Sequence, residues 1–169
     1  MRIYALLCAL AMALPASGAF AAAPQPVKAA PLGMYAGRWY LAGQIAKTNH
    51  HPCPAGTEDF STTTQGAFAV KMTCREPSGN SRQVDAHVAI VPNSGNAKFR
   101  MSFLGGLIHQ EYWVLDHAAD GTWALMATPG GNYLWLLTRR PILDPVTRAA
   151  AATSIHALGY DVARLTTDR

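Results

Sequence analysis

Apolar and polar positions alternate with a period of two along most of the chain after residue 34, the pattern of strands that bury one face. The first such run is Arg38-Trp39-Tyr40-Leu41-Ala42-Gly43-Gln44-Ile45. Further on, Phe68, Val70, Met72 and Cys74 alternate with Ala67, Ala69, Lys71 and Thr73. Val84, Ala86, Val88 and Ile90 then alternate with Gln83, Asp85, His87 and Ala89, and Phe99, Met101 and Phe103 with Lys98, Arg100 and Ser102. The predicted strands are 38–45, 57–64, 68–74, 83–90, 98–103, 109–115, 122–127 and 132–138. Turn chemistry separates them: Gln65-Gly66, Pro77-Ser78-Gly79-Asn80, Pro92-Asn93-Ser94-Gly95-Asn96, Gly105-Gly106, Ala118-Ala119-Asp120-Gly121 and Pro129-Gly130-Gly131. The period then changes. Asp144 offers an N-cap, Pro145 fits the first helical position, and the Ala-rich run 146–158 ends at Gly159. Ile155 and Leu158 are its inward candidates, and a short strand over 162–165 is expected to close the chain.

Eight antiparallel strands joined in order by tight turns leave two unpaired edges unless the sheet closes on itself. The expected fold is therefore all-β: an eight-stranded antiparallel up-and-down β-barrel with one C-terminal α-helix. Such a barrel has an interior about wide enough for side chains or one small ligand. One face of the middle strands is apolar, while Lys71, Gln83, Asp85, Lys98 and Arg100 occupy the other. This alternation fits a hollow interior and a filled one equally.

Length and charge narrow the function. At 169 residues the chain suits one domain, and 50% hydrophobic with 14% charged residues excludes a disordered chain. The net charge of +4 comes from 14 basic and 10 acidic residues without a basic run, so no nucleic-acid partner is expected. Residues 1–21 read as a secretory signal peptide: Met1-Arg2, an apolar stretch over 3–14, then Ala19-Phe20-Ala21 as a cleavage site. Cys8 lies inside the apolar stretch behind Leu7, a poor lipidation context, so a soluble exported protein is expected. Residues 22–33 form an Ala/Pro-rich extended leader, and the domain runs over 34–169. Cys53 and Cys74 remain after cleavage, an even number in an oxidising compartment, which favours a disulfide. The alternative is a metal site built from His50, His51 and Cys53, but no second ligand cluster accompanies them. Neither metal nor cofactor is expected.

Several motifs, taken in order, resemble one family. Gly37-Arg38-Trp39 resembles the G-x-W of lipocalins. Tyr133-Leu134-Trp135-Leu136-Leu137-Thr138-Arg139-Arg140-Pro141 is similar to the last barrel strand of the bacterial lipocalin and apolipoprotein D branch. A helix and Gly159-Tyr160-Asp161-Val162 follow, as in that branch, and 98–103 and 112–116 resemble two of its middle strands. The family's middle T-D-Y motif is reduced here to Asp120 in Ala119-Asp120-Gly121, and 48–56 carries a cysteine the ordinary first loop lacks. The resemblance implies a lipocalin-like calyx closed at one end by Arg139 stacked across Trp39, with Gly37 beside them. It also implies that Trp135 faces the ligand. Strand parity adds Tyr133, Tyr112, Val114, Phe99, Met101, Phe103, Trp123, Val70 and Val84 as candidate ligand-binding residues.

Catalysis finds little support. Ser81, Ser94 and Ser102 have no nucleophile-elbow context, and no phosphate loop or dinucleotide fingerprint is present. His109 and Glu111, two apart on one strand, are the first suspects if the barrel is an enzyme acting on a lipid or isoprenoid. A filled barrel with a structural role in the envelope is the other alternative. The reading favoured here is a non-enzymatic carrier of a small hydrophobic ligand, such as a fatty acid, a lysophospholipid or another membrane-derived lipid. Its expected place is the periplasm or bacterial cell envelope. Contact with a membrane surface and a monomeric or weakly dimeric state are expected. No residue for a ligand head group emerges; His87, His109 and Lys98 were the polar candidates, and parity puts His87 and Lys98 outside.

Overall fold

The computed structural model describes residues 22–46, 53, 55–62, 68–76 and 78–167. The expected signal peptide, His50, His51 and the Gln65-Gly66 turn lie outside these residues. A single helical turn, α1 (Leu32–Tyr35), precedes eight strands: β1 (Gly37–Ala46), β2 (Ala55–Thr62), β3 (Phe68–Arg75), β4 (Ser81–Ile90), β5 (Lys98–Phe103), β6 (Ile108–His117), β7 (Trp123–Ala127) and β8 (Tyr133–Thr138). A second helix, α2 (Pro145–Ala157), follows. Each strand pairs antiparallel with its sequence neighbour, and β8 returns to β1, so the sheet is a closed barrel. Closure leaves no exposed edge for another chain to extend.

Alternation sorts the side chains into two apolar clusters. The inner one includes Trp39, Phe60, Phe68, Val70, Ala86, Val88, Phe99, Met101, Val114, Ala124, Met126 and Leu137. The outer one lies beneath α2 and contains Ile45, Trp113, Leu115, Trp123, Leu125, Leu134 and Leu136 with Ala151 and Ile155 of the helix. Strands β7 and β8 are therefore covered on both faces, which explains their nearly unbroken apolar runs, Trp123-Ala124-Leu125-Met126-Ala127 and Tyr133-Leu134-Trp135-Leu136-Leu137. On β3, β4 and β5 only the inner face is covered, and there the alternation is clean.

The helix forms where its caps predict. The Asp144 carboxylate accepts hydrogen bonds from the Thr147 backbone N–H at 2.9 Å and the Thr147 hydroxyl at 2.7 Å. Gly159 just beyond the helix takes a positive φ of 83°. The helix is fastened to the barrel through Ser154, which donates to Asp116 at 2.6 Å. Lys28 of the leader reaches the same carboxylate at 3.2 Å. Burial pushes the Asp116 carboxyl upward, but the bonds from Ser154, the His117 N–H and Lys28 outweigh it and hold it below its ordinary range.

Two expectations about the chain ends need correction. The expected strand over 162–165 is instead a 3₁₀ turn, Val162–Arg164, capped by the Asp161 side chain. The tail's only β-bridge among the described residues is Gln44 to Thr166; Arg164 also donates to the Ala46 carbonyl at 3.1 Å, and Val162 and Leu165 pack on the outer cluster. The bridge forms beside a register shift in β1 between Leu41 and Gly43, where Gly43 leaves room for the tail: a side chain there would meet the Thr166 carbonyl at 3.1 Å. The leader does not simply lie on the surface. Ala23 and Ala30 are buried, the Ala30 N–H donates to the Gly95 carbonyl, and α1 begins inside the expected leader at Leu32.

Cys53 and Cys74 form a disulfide with Cα atoms 5.5 Å apart, tying the segment ahead of β2 to the end of β3. The 21-residue separation closes a sizeable loop, and the chain-entropy argument assigns it roughly 3 kcal/mol. Paired replacement Cys53→Ser and Cys74→Ser should lower the free energy of unfolding by about that amount. Urea denaturation measures it; a loss well under 1 kcal/mol would mean that the loop is already held by other contacts.

Candidate functional site

The closed end is built first. Tyr35 from α1, Phe60 from β2, Phe68 from β3 and Phe99 from β5 converge, with ring centroids of Tyr35 lying 6.2, 5.8 and 5.7 Å from those of the three phenylalanines. The Tyr35 hydroxyl donates to the Asn96 carbonyl, and burial pushes its pKa up. Beside this cluster the Trp39 indole N–H donates to the Tyr35 carbonyl at 3.1 Å. The Arg139 guanidinium lies 3.8 Å over the Trp39 ring and donates to the carbonyls of Arg38 and Met34. Gly37 has φ 89°, and a side chain there would meet Arg139 at 3.6 Å. One side chain thus joins both ends of the strand series and binds the Met34 carbonyl of α1 together with the Arg38 carbonyl of β1.

Above this floor the burial of inward-facing residues changes. Val70, Phe99, Met101 and Val114 are almost fully enclosed by neighbouring side chains. They face inward, yet they belong to the packed floor. Leu41, Met72, Phe103, Tyr112 and Trp135 pack against the same cluster but are only half-buried. Tyr133 is half-buried too, and Val84 is 38% exposed although it shares the inward face with Met72. These seven residues sit toward the end of the barrel where β1 ends and β8 begins. They form an aromatic wall: Tyr112 lies 5.6 Å from Trp135, which stacks on Tyr133 at 5.5 Å. A shallow apolar cup over an aromatic floor is the candidate site.

Trp123 does not belong to it. Met126 pairs with Trp135 and Ala124 with Leu137, so these two residues of β7 face inward and Trp123 faces out, beneath α2. Parity along β7 alone could not settle this, because both of its faces are apolar. His109 and Glu111 also point away from the interior. The next residues along the strand, Gln110 and Tyr112, share the inner face with Met101 and Phe99, and the Glu111 carboxylate instead accepts from the outer-face Trp113 indole. His87 is exposed, and Lys98 stacks 4.3 Å over Trp113 and donates to Gln25 on the outer wall.

The sequence reading missed several inward polar residues, among them Gln44, in register with Trp135 and donating to the Cys53 carbonyl, Gln110, in register with Met101, and Glu58. Glu58 of β2 pairs with Trp39 on one side and Met72 on the other, both inward-facing. Its side chain is half-buried as a whole, but Oε2 is enclosed and accepts no hydrogen bond. A buried acceptor left without a donor costs roughly 1–3 kcal/mol. Burial pushes the Glu58 carboxyl up to about 7. Burial also pushes the Tyr112 phenol up, to about 12, with the nearby Glu58 charge adding to the effect. The available signal was parity: Glu58 is two residues from Phe60 on the same strand.

Among the described residues no cluster of His, Cys, Asp or Glu could hold a metal, and no helix is long and apolar enough to cross a membrane. A groove of about 500 Å³ lies on the outer wall, where Arg38, Tyr40, Thr57, Thr73 and Gln83 meet Pro141 and Leu143.

Comparison with known proteins decides the family. A sequence profile for the lipocalin-like domain matches residues 31–169. The chain belongs to the lipocalin-like family. Among curated relatives it is 23% identical over 122 residues to the outer membrane lipoprotein Blc of Vibrio cholerae serotype O1, covering 71% of each chain. Solved lipocalin barrels match in shape. Insecticyanin from the tobacco hornworm Manduca sexta has a TM-score of 0.70 at 16% identity, covering 88% of this chain and 86% of that one. Lobster apocrustacyanin A1 has a TM-score of 0.60 at 14% identity, covering 80% and 77%. As a lipocalin-like protein, this chain has a barrel consistent with binding small hydrophobic ligands.

Proposed function

We propose that this lipocalin is an exported carrier that holds one small hydrophobic molecule, a fatty acid, a lysophospholipid or another membrane-derived lipid, in the upper half of the barrel. The observation that carries this reading is the change in burial along the interior. Most inward-facing apolar residues toward the closed end are enclosed, whereas Leu41, Met72, Tyr112 and Trp135 above them are half-buried; Ile90 at the closed end, which is half-buried, and Met126 beside Trp135, which is enclosed, depart from this trend. Apolar side chains that face a cup instead of neighbours gain when an acyl chain displaces water, by about 25 cal/mol per Å² of apolar surface removed. Trp135 and Tyr133 supply a rigid wall for such a chain. Leu104, Leu107 and Ile108, exposed at the β5–β6 connection on the rim, support contact with a membrane surface during loading. The signal peptide expected over residues 1–21 and the name of the Vibrio relative support a place in the bacterial envelope; the carrier is taken to act as a monomer or weak dimer.

Tryptophan fluorescence titration tests the reading. Of the four tryptophans, Trp39 is stacked under Arg139 and Trp113 and Trp123 lie on the outer face, which leaves Trp135 as the reporter in the cup. A lysophospholipid or fatty acid should produce a saturable change, and Trp135→Phe should remove most of it. Absence of saturable binding across lipid classes, with the barrel folded, would overturn the proposal.

A further inference from the structure

Within the cup just proposed as a ligand site, we infer that the Glu58 carboxyl is the polar anchor, and that it selects amphiphiles whose head donates a hydrogen bond, an ammonium or a hydroxyl, over those ending in a free carboxylate. This deepens the carrier reading and rests on it. Three observations meet at this residue. Glu58 faces inward in register with Trp39 and Met72, at the level where the packed floor gives way to the half-open wall. Its Oε2 is enclosed and takes no hydrogen bond from the protein. Its register partners are Trp39 and Met72, neither of which answers it, and the charge next in sequence looks elsewhere: Asp59 binds Arg38 at 2.6 Å on the outer wall.

An acceptor left orphaned in an apolar cup is a demand for a donor. A carboxyl oxygen accepts whether the group is ionised or neutral, so an alcohol satisfies it in either state. An ammonium adds charge attraction in a setting where water screens poorly. A fatty carboxylate brings only acceptors. It could bind beside Glu58 only by forcing a shared proton, as two carboxylates at one site must. The inward titratable groups nearest Glu58 are phenols, Tyr112 on β6 and Tyr133 on β8, with Tyr35 below; Arg82 on β4, in register with Cys74, shares the inner face two residues beyond Val84 but stands exposed toward the rim, and Arg139 is engaged at the floor. Lys71 on β3 pairs with the outward Asp59 and lies on the other face. None of these phenols supplies a positive charge that would favour a carboxylate ligand.

Dodecylamine, dodecanol and dodecanoate share one chain and differ only in the head, so isothermal titration with each at pH 8 isolates the anchor. The amine should bind most tightly and the carboxylate most weakly. Glu58→Gln should weaken dodecylamine by about tenfold or more, the scale of a charge-assisted bond, and weaken dodecanoate little or not at all. Dodecanoate binding as tightly as dodecylamine, or a ranking unchanged in Glu58→Gln, would overturn this inference and leave the carrier reading standing. If none of the three probes, nor a lysophospholipid, binds the folded protein, the carrier reading falls and takes this one with it.

Discussion

Replacing Trp39 with alanine should cost the barrel about 3–5 kcal/mol, the usual range for removing a fully buried aromatic side chain. Three losses combine. The indole is 2% exposed and packs within the inner cluster, so truncation opens a cavity at the closed end. The hydrogen bond from its N–H to the Tyr35 carbonyl disappears, which loosens α1. The Arg139 guanidinium, 3.8 Å above the ring, loses its stacking partner while its bonds to the Arg38 and Met34 carbonyls hold it in place. Burial already lowers the Arg139 pKa, so a guanidinium without the ring would be a poorly compensated charge. For a domain of this size the shift in Tm should be on the order of 10 °C.

A double-mutant cycle separates the pair from the packing. Arg139→Met keeps much of the side-chain volume and removes the charge and its fork of donors. If the two side chains act together, the double variant should be less destabilised than the sum of the singles by about 1–2 kcal/mol. Additive effects would mean that Trp39 is a core residue and Arg139 a surface clasp, with no coupling across the β1–β8 seam. Urea denaturation of the four proteins gives the answer directly.

The barrel was legible in the sequence because its strongest constraint is local. A strand with one covered face must alternate, and 68–74, 83–90 and 98–103 do so with Ala69 and Ala89 as the only apolar residues on the outer side. Closure followed from the number of strands and the brevity of the turns. What the pattern could not carry was the identity of the covering layer. On β7 both faces are buried, one by the interior and one by α2, so alternation vanishes and Trp123 had no readable side. The hollow was equally invisible: Val70 and Val84 obey the same parity, yet one is enclosed in the floor and the other stands at the opening. The tail over 162–165 has a strand-like composition, but it turns as a 3₁₀ element capped by Asp161, and it meets β1 beyond Tyr40, where the pairing with β2 has ended, through the Gln44–Thr166 bridge and the Arg164 bond to the Ala46 carbonyl. Glu58 escaped notice for a different reason. In Thr57-Glu58-Asp59-Phe60 the polar residues outnumber the apolar one, so the strand declares its inner face through Phe60 alone.

That residue carries the second large expectation. Glu58→Gln should leave stability near pH 4.5 unchanged and raise it by about 2–3 kcal/mol at pH 8. In the unfolded chain the carboxyl titrates near 4.5, and in the barrel near 7. The folded state therefore holds its proton more tightly, and between these two values it carries more bound proton than the unfolded state. Stability then falls as pH rises through this window and levels off above the folded value. Asp116, Asp120 and Asp144 are held below their ordinary range and act in the opposite sense, losing their contribution as pH falls. They are common to both proteins, so the difference between wild type and variant isolates Glu58. Denaturation of both at pH 5 and pH 8 measures it, and a difference that does not change with pH would mean that the carboxyl is solvated in the free protein. A bound ammonium should erase the gap: pairing the ionised carboxylate removes the penalty that glutamine avoids, so the wild type gains more from dodecylamine at pH 8 than the variant can. The cost in the empty cup and the selectivity of the filled one have a single physical source, an acceptor held where the protein offers it no donor.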